Sequence, residues 1–214
     1  APALKSLVIE PFIREYRDGR TPNPCFQCNR HIKFGDLLGK ALAMGFGFLA
    51  TGHYARIDSS GGKPRLTHAR DARKDQTYFL SGIAPEALGR VLFPLAGFTK
   101  DEVRAVAREA NLPVSSKPES QDICFIPDGD TEKFLRGSID VTPGDFVDER
   151  GCVVGRHRGL ALYTIGQRAR LGLNRGRPVY VIGKDPASGR IAVGVKELLL
   201  SRGLRARGVT SFVE

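Results

Sequence analysis

TPNPCFQCNRHIKFGDLLGKALAMGFGFLATGHY, residues 21–54, is the stretch whose reading settles the architecture. Thr21-Pro22-Asn23-Pro24 reads as an extended, rigid turn, because a residue that precedes proline is pushed out of helical space. Beyond Cys25-Phe26-Gln27-Cys28-Asn29, the apolar residues Ile32, Phe34, Leu37, Leu38, Ala41 and Leu42 recur at helical spacing, and Gly45 and Gly47 stop the helix. Phe48 to Thr51 reads as a short buried strand, followed at once by Gly52-His53. A helix, a strand and a glycine at the strand's end are parts of an α/β layer.

Upstream, Leu4, Leu7, Val8, Phe12 and Tyr16 keep a helical spacing that Pro11 should break or kink. Downstream, Tyr54 to Ile57 and Arg65 to His68 read as two strands joined by a Ser-Ser-Gly-Gly-Lys-Pro turn. Thr99-Lys100-Asp101-Glu102 is a capping box. The helix it opens carries Val103, Val106, Ala107 and Ala110 on one face and ends at Asn111, with Pro113 beyond. From Phe125 the composition changes: glycines rise, strands shorten and turn signals recur. Phe146 to Asp148 with Val153-Val154 reads as one hairpin, and Val179 to Ile182 with Ile191 to Val193 as another. Leu204 to Val213 reads as the first strand of something further.

The chain has 214 residues, 41% hydrophobic and 26% charged, the balance of an ordinary soluble protein of one or two domains. No run approaches the roughly 18 apolar residues that a membrane span needs. Lys5, Glu10 and Arg14 interrupt any apolar run near the start, so a cytoplasmic protein without membrane partners is expected. The chain opens on Ala1 and its single methionine is Met44, so a further segment is expected upstream. Lys and Arg outnumber Asp and Glu, 33 to 23, a net charge of +10 that favours a polyanionic partner. Arg156, His157, Arg158, Arg168, Arg170, Arg175 and Arg177 follow one another with no acid between them, among glycines and a tyrosine. That pattern suits a loop-rich surface open to phosphates.

Cys25, Cys28, Cys124 and Cys152 are too few and too scattered for a secreted disulfide framework. A Cys-x-x-Cys pair serves as half of a structural zinc site, as a redox pair, or as two packed thiols. Cys28 is expected at the entry to the following helix, where backbone N–H groups favour a thiolate. Cys124 follows the polar stretch Lys117 to Asp122, within an apolar run at the junction of the α/β and β-rich halves. Read alone it is a buried small hydrophobe; as a junction residue it stands where substrate sites collect. Read alone, His53 is a satisfied histidine after a strand and Lys74-Asp75 a surface ion pair.

Taken together, Thr21 to Asn29, Ile32 to Phe34, Ala50 to Arg56, Lys74 to Leu80, Lys117 to Ile126 and Tyr163 to Arg168 resemble, in this order, the motifs of the tRNA-specific 2-thiouridylase family. The resemblance implies an α/β fold. Residues 1–124 would be the C-terminal part of an adenine nucleotide α-hydrolase-like (PP-loop) sheet domain, 125–202 a small β-rich central domain facing tRNA, and 203–214 the start of a β-barrel. It implies a sulfurtransferase that uses ATP with Mg2+ to adenylate the C2 oxygen of the wobble uridine and then displaces AMP with sulfur. Cys124 matches the cysteine that carries the persulfide, and Cys28 the partner that releases the sulfur by forming a disulfide with it. Gly52 matches a position near the ATP, and His53, Lys74, Asp75 and Gln76 match positions that touch tRNA. A protein donating sulfide or persulfide is the other implied partner.

The sequence departs from the family pattern in two places. Many members carry an aspartate where this chain has Cys25; Cys25, Cys28 and Cys124 together supply three thiolates for an iron–sulfur cluster with one iron open to sulfide. No Ser-Gly-Gly-Val-Asp-Ser type loop, which cradles pyrophosphate in the family, occurs in residues 1–214, so the chain alone is expected to be inactive. The reading from a different class is a non-catalytic tRNA-binding module whose cysteines hold a structural zinc or an iron–sulfur cluster.

Overall fold

The computed structural model describes residues 2–116, 123–174, 176–206 and 209. These fall into two compact units, the first drawn from 2–8, 23–123 and 209, the second from 9–22 and 124–206. The strands, in chain order, are β1 (Leu49–Ala50), β2 (Arg56–Asp58), β3 (Arg65–Thr67), β4 (Val91–Leu92), β5 (Gly144–Val147), β6 (Val153–His157), β7 (Tyr180–Asp185) and β8 (Arg190–Gly194).

In the first unit, Asn23 (φ −105°, ψ 99°) is extended, as its place before Pro24 requires, and the helix begins at Pro24. It runs on as Pro24–Gln27, a π-helical stretch Cys28–Leu37, and Leu38–Ala43. The π stretch changes which side chains face inward. Asn29, Phe34 and Leu38 are buried, five and then four residues apart, whereas Leu37 and Leu42 stay 48% and 39% exposed. A uniform 3.6-residue stripe would have buried both leucines. Phe34 and Leu38 enter a core with Ala55, Leu80, Ile83, Leu88, Val91 and Phe93.

β1 pairs in parallel with β4, Leu49 opposite Val91 and Ala50 opposite Leu92. The strand is not the buried one expected, since Phe48 is 53% and Leu92 46% exposed and only Leu49 packs on the core. β2 and β3 form the expected antiparallel hairpin, with Ile57 opposite Leu66. The capping box is complete: Thr99 Oγ1 accepts from Glu102 N and the Glu102 carboxylate accepts from Thr99 N, opening Lys100–Glu109. Asn111 (φ 52°) takes the left-handed conformation just past the helix end. No residue of that helix is buried, and Val106 is 53% exposed, so the apolar face read from the sequence is only partly covered.

In the second unit, β5 to β8 form one mixed sheet in the order β6-β5-β8-β7. Both hairpins are present, and they join through the parallel pair β5–β8, with Phe146 opposite Ile191. Phe146, Val181, Ile191 and Val193 are buried with Tyr163, Leu171 and Val179 in its core. Before this sheet stands a helix, Thr131–Arg136, that the sequence reading passed over, capped by the Asp130 carboxylate accepting from Lys133 N. It is a short turn-and-a-half inside a glycine-rich stretch, and its periodicity is too brief to stand out.

The amino-terminal helical segment is interrupted as Pro11 demands. Lys5–Ile9 is π-helical and Glu10–Arg17 α-helical. Pro11 has no N–H for the Leu7 carbonyl and its ring crowds that group, so the turn before it widens. Phe12, 1% exposed, lies edge-on to Tyr16 and Phe125 at 4.9 and 5.3 Å between ring centroids. The reading of Leu204 to Val213 as a strand falls largely outside the described residues, and 204–206 carry no regular structure.

Candidate functional site

The Cys-x-x-Cys pair sits on the first turns of the helix that Asn23 starts. Asn23 Oδ1 accepts from Cys25 N at 3.1 Å and from Phe26 N at 3.3 Å. Cys25, exposed, is therefore the thiol at the helix start, and Cys28, half-buried, lies a turn further in. The entry is earlier than expected because Pro24 initiates the helix, its missing N–H being one that no intrahelical carbonyl would have bonded. Cys124 is exposed, unlike the buried small hydrophobe its sequence neighbours suggest, while Ile126 two residues on is 2% exposed. Most of the Lys117 to Ile126 motif, residues 117–122, lies outside the described residues. Among the described residues no disulfide joins the cysteines. Among them, too, no group of three or more His, Cys, Asp or Glu side chains is placed to hold a metal ion, so Cys25, Cys28 and Cys124 do not form the three-thiolate site expected for an iron–sulfur cluster.

Within the first unit, motifs far apart in sequence interlock. Asn29, 3% exposed, donates Nδ2–H to the Phe79 carbonyl at 3.0 Å; its buried Oδ1 accepts no hydrogen bond among the described residues. Lys33 Nζ lies 3.3 Å from His53 Nε2, and Thr51 Oγ1 lies 2.8 Å from His53 Nδ1. The His53 ring also packs against Phe34 and Phe93, with centroids 5.9 and 6.0 Å away. Burial, and then the Lys33 charge, bring its pKa down to about 4, so it is neutral at physiological pH. Tyr54 and Gln76 exchange two hydrogen bonds, Tyr54 N to Gln76 Oε1 at 2.9 Å and Gln76 N to Tyr54 O at 2.8 Å. Gly52 is exposed, with an ordinary φ, and a Cβ there would meet only Leu95, at 3.7 Å. Packing among the described residues does not demand a glycine at that position.

The turn carrying Lys74 is braced from both sides. Asp75 accepts from Ala69 N at 2.8 Å, from Thr77 N at 3.1 Å and from Thr77 Oγ1, and faces His68 Nδ1 at 3.2 Å. Burial works to raise its pKa, but the hydrogen bonds from Thr77, Ala69 and His68 outweigh it and hold it low. Asp71, 5% exposed, was not singled out in the sequence; it accepts from Arg73 N and from Lys100 N, tying the turn to the start of the Lys100–Glu109 helix. Asn29, Lys33 and Thr51 were likewise missed. Their signal was membership of the quoted motifs, but only the fold pairs them with Phe79 and His53.

In the second unit the arginine-rich stretch proves heterogeneous. His157 is not part of a basic surface: it is 2% exposed, its Nε2 lies 2.9 Å from the Gly189 carbonyl and its Nδ1 accepts from Gly159 N. Burial lowers its pKa. Arg156 pairs with Asp145, Arg158 with Glu132 and Arg177 with Glu149, at 2.9, 3.0 and 3.6 Å. Arg175 lies outside the described residues. Lys184, whose pKa burial lowers to about 8, donates to the Tyr163 carbonyl at 2.6 Å. No helix among the described residues is long and apolar enough to cross a membrane.

Residues 2–128 match the family described as tRNA methyl transferase HUP domain, and residues 132–195 that described as tRNA methyl transferase PRC-barrel domain. A protein of Syntrophus aciditrophicus named tRNA-specific 2-thiouridylase MnmA 1 is 51% identical over 207 residues, 96% of this chain and 56% of its own length. Proteins named tRNA-specific 2-thiouridylase MnmA from Heliobacterium modesticaldum and Carboxydothermus hydrogenoformans are 52% and 48% identical, each over 93% of this chain and 53% and 56% of their own lengths. The chain thus spans about half the length of the curated relatives it matches. With a HUP, PP-loop-like, α/β domain followed by a PRC-barrel domain, and with relatives of that name about half identical over most of its residues, the chain belongs to the tRNA-specific 2-thiouridylase family.

Proposed function

We propose that this chain works in the ATP-dependent 2-thiolation of the wobble uridine of tRNA, in the cytoplasm, with sulfur delivered by a sulfide or persulfide donor protein. The observation that carries the reading furthest is the exposed thiol of Cys124 in an otherwise apolar run. Cysteine is among the most buried residue types, so a thiol left in solvent beside a buried isoleucine is better suited to chemistry than to packing. The names of the relatives support sulfur, rather than methyl, as the group transferred.

ATP with Mg2+ supplies the leaving group, by turning the C2 oxygen into one that departs with AMP. The Cys124 thiolate takes the outer sulfur of a persulfide donor, whose own thiolate leaves, and the terminal sulfur of the resulting Cys124 persulfide then bonds to C2. Attack of the Cys28 thiolate on Cys124 Sγ breaks the bond to the transferred sulfur, which stays on the uridine, and leaves a Cys28–Cys124 disulfide that a two-electron reductant must reopen. Gly52 gives the nucleotide access to the backbone after β1. Asp75 and Gln76, bonded to Ala69 N and Tyr54 N, hold the turn from which Lys74 meets the tRNA, and His53 is a further tRNA contact. Residues 1–124 serve the chemistry and 125–202 the tRNA. Thiolation requires a pyrophosphate-binding loop that residues 1–214 do not contain.

The test is mass spectrometry of tRNA digests after incubation with ATP, Mg2+ and a sulfide or persulfide donor. This chain is compared with a form extended to the length of its relatives, each with and without Cys124→Ser. Thiolation by the extended form alone, abolished by Cys124→Ser, is expected. Methylation in place of thiolation, or thiolation that survives Cys124→Ser, overturns the reading.

A further inference from the structure

We propose that the loop 164–170 is a preformed RNA-binding tip, in which Ile165 packs on an exposed nucleotide while Arg168 and Arg170 take the phosphates flanking it. The proposal rests on the reading that tRNA is the substrate, and it assigns to this chain a contact site of defined geometry.

The charges of the region sort themselves by their partners. Arg156, Arg158 and Arg177 each have a carboxylate within 3.6 Å, brought there from other segments. A phosphate approaching any of them meets a partly cancelled field and must compete with that carboxylate. Arg168 and Arg170 are exposed, and no ion pair or side-chain hydrogen bond holds either guanidinium among the described residues. Among the described residues of this stretch, they are the cations left for an outside anion.

The loop beneath them is rigidly held. Gly166 N donates to the Val181 carbonyl at 2.8 Å and Val181 N to the Gln167 carbonyl at 2.9 Å, so the tip is bonded to β7 although it is no strand. Gln167 closes the loop on itself, accepting from Thr164 N at 3.1 Å and donating to the Ala169 carbonyl at 2.9 Å. Lys184 anchors its base through the Tyr163 carbonyl, and Thr21 Oγ1 reaches Thr164 Oγ1 at 3.3 Å. Gly166 (φ 87°) and Arg170 (φ 60°) turn the chain at two points where the left-handed conformation is needed. On this support stands Ile165, 57% exposed and flanked by polar or glycine neighbours. An aliphatic side chain held in solvent beside two uncancelled arginines matches RNA, which offers a hydrophobic base or ribose face between two phosphates. The backbone is ordered in advance, so binding pays little to arrange it.

The experiment is a salt titration of the affinity of this chain for an unmodified tRNA transcript. Arg168→Ala and Arg170→Asn, the latter tolerating positive φ, should each weaken binding and flatten the slope of log K against log salt by about one. Ile165→Ser should weaken binding about three- to tenfold at unchanged slope, since it removes partial burial of an aliphatic side chain and no charge. Arg156→Ala, which breaks the Asp145 pair, should leave the slope unchanged. Circular dichroism confirms that each variant is folded. Equal slope losses at Arg156 and Arg168, or an unchanged slope in both Arg168→Ala and Arg170→Asn, overturn the tip as the contact. Failure of the unaltered chain to bind tRNA at all strikes the proposed function itself.

Discussion

His53 shows how a single side chain changes character once its surroundings are known. In the sequence it is a histidine after a strand; in the fold it sits between Phe34, Phe93 and Lys33 with its pKa down at about 4. The unfolded chain takes up that proton near 6.5 and the folded chain only near 4, so stability contributed by neutral His53 is complete above about 6.5 and is lost as pH falls towards 4. His53→Gln should therefore lose less stability than the parent between those two pH values, measured by urea unfolding. Asp75 makes a second case. It supplies acceptors to Ala69 N and Thr77 N, so Asp75→Ala should cost about 1–3 kcal/mol in the same assay, with Asp75→Asn closer to the parent because one oxygen remains. If Asp75→Ala left stability untouched and impaired tRNA binding alone, its bracing role would be refuted.

Among the elements, the helix that starts at Pro24 depends on its cap at Asn23, which serves both Cys25 N and Phe26 N. Asn23→Ala should cost about 1 kcal/mol and speed amide exchange at Cys25 and Phe26. In the mixed sheet, Gly144 opens β5 where a Cβ would collide with the Gly189 carbonyl oxygen and lie 2.7 Å from His157 Nε2. Gly144→Ala should destabilise by about 1–3 kcal/mol, whereas Gly97→Ala, with nothing within 4 Å, serves as the control. Turns, hairpins and the capping box were legible because each rests on local chemistry, as at Thr99 and Asn111. The π-helical stretch was not, since the extra residue per turn is tied to docking of Asn29 against Phe79 and of Lys33 against His53, contacts from distant segments.

At the scale of the whole molecule, the described residues form a hydrophobic cluster in each unit, one built around Leu80, Ile83 and Leu88 and the other around Phe146, Val181 and Ile191. Leu80→Ala should cost about 2–5 kcal/mol and Phe146→Ala about 3–5 kcal/mol, each lowering amide protection chiefly within its own unit by hydrogen exchange. Uniform loss across both units from either variant would show a single cooperative core. The net charge of +10 also belongs to this scale, and its sign favours a polyanion without saying where the polyanion sits.

The α/β class, the three hairpins, the Cys-x-x-Cys pair, the surplus of cations and the family motifs are properties of the sequence by itself. They depend on local backbone preference, on spacing and on counting. Which leucines of the Pro24 helix face inward, that Cys124 is exposed, that His53 and His157 are neutral, and which arginines keep their charge uncancelled were decided only by the tertiary structure. Burial, ion pairing and pKa depend on what arrives from elsewhere in the chain: Asp145, Glu132 and Glu149 are absent from the arginine-rich stretch in sequence, yet they sit beside its guanidinium groups in space.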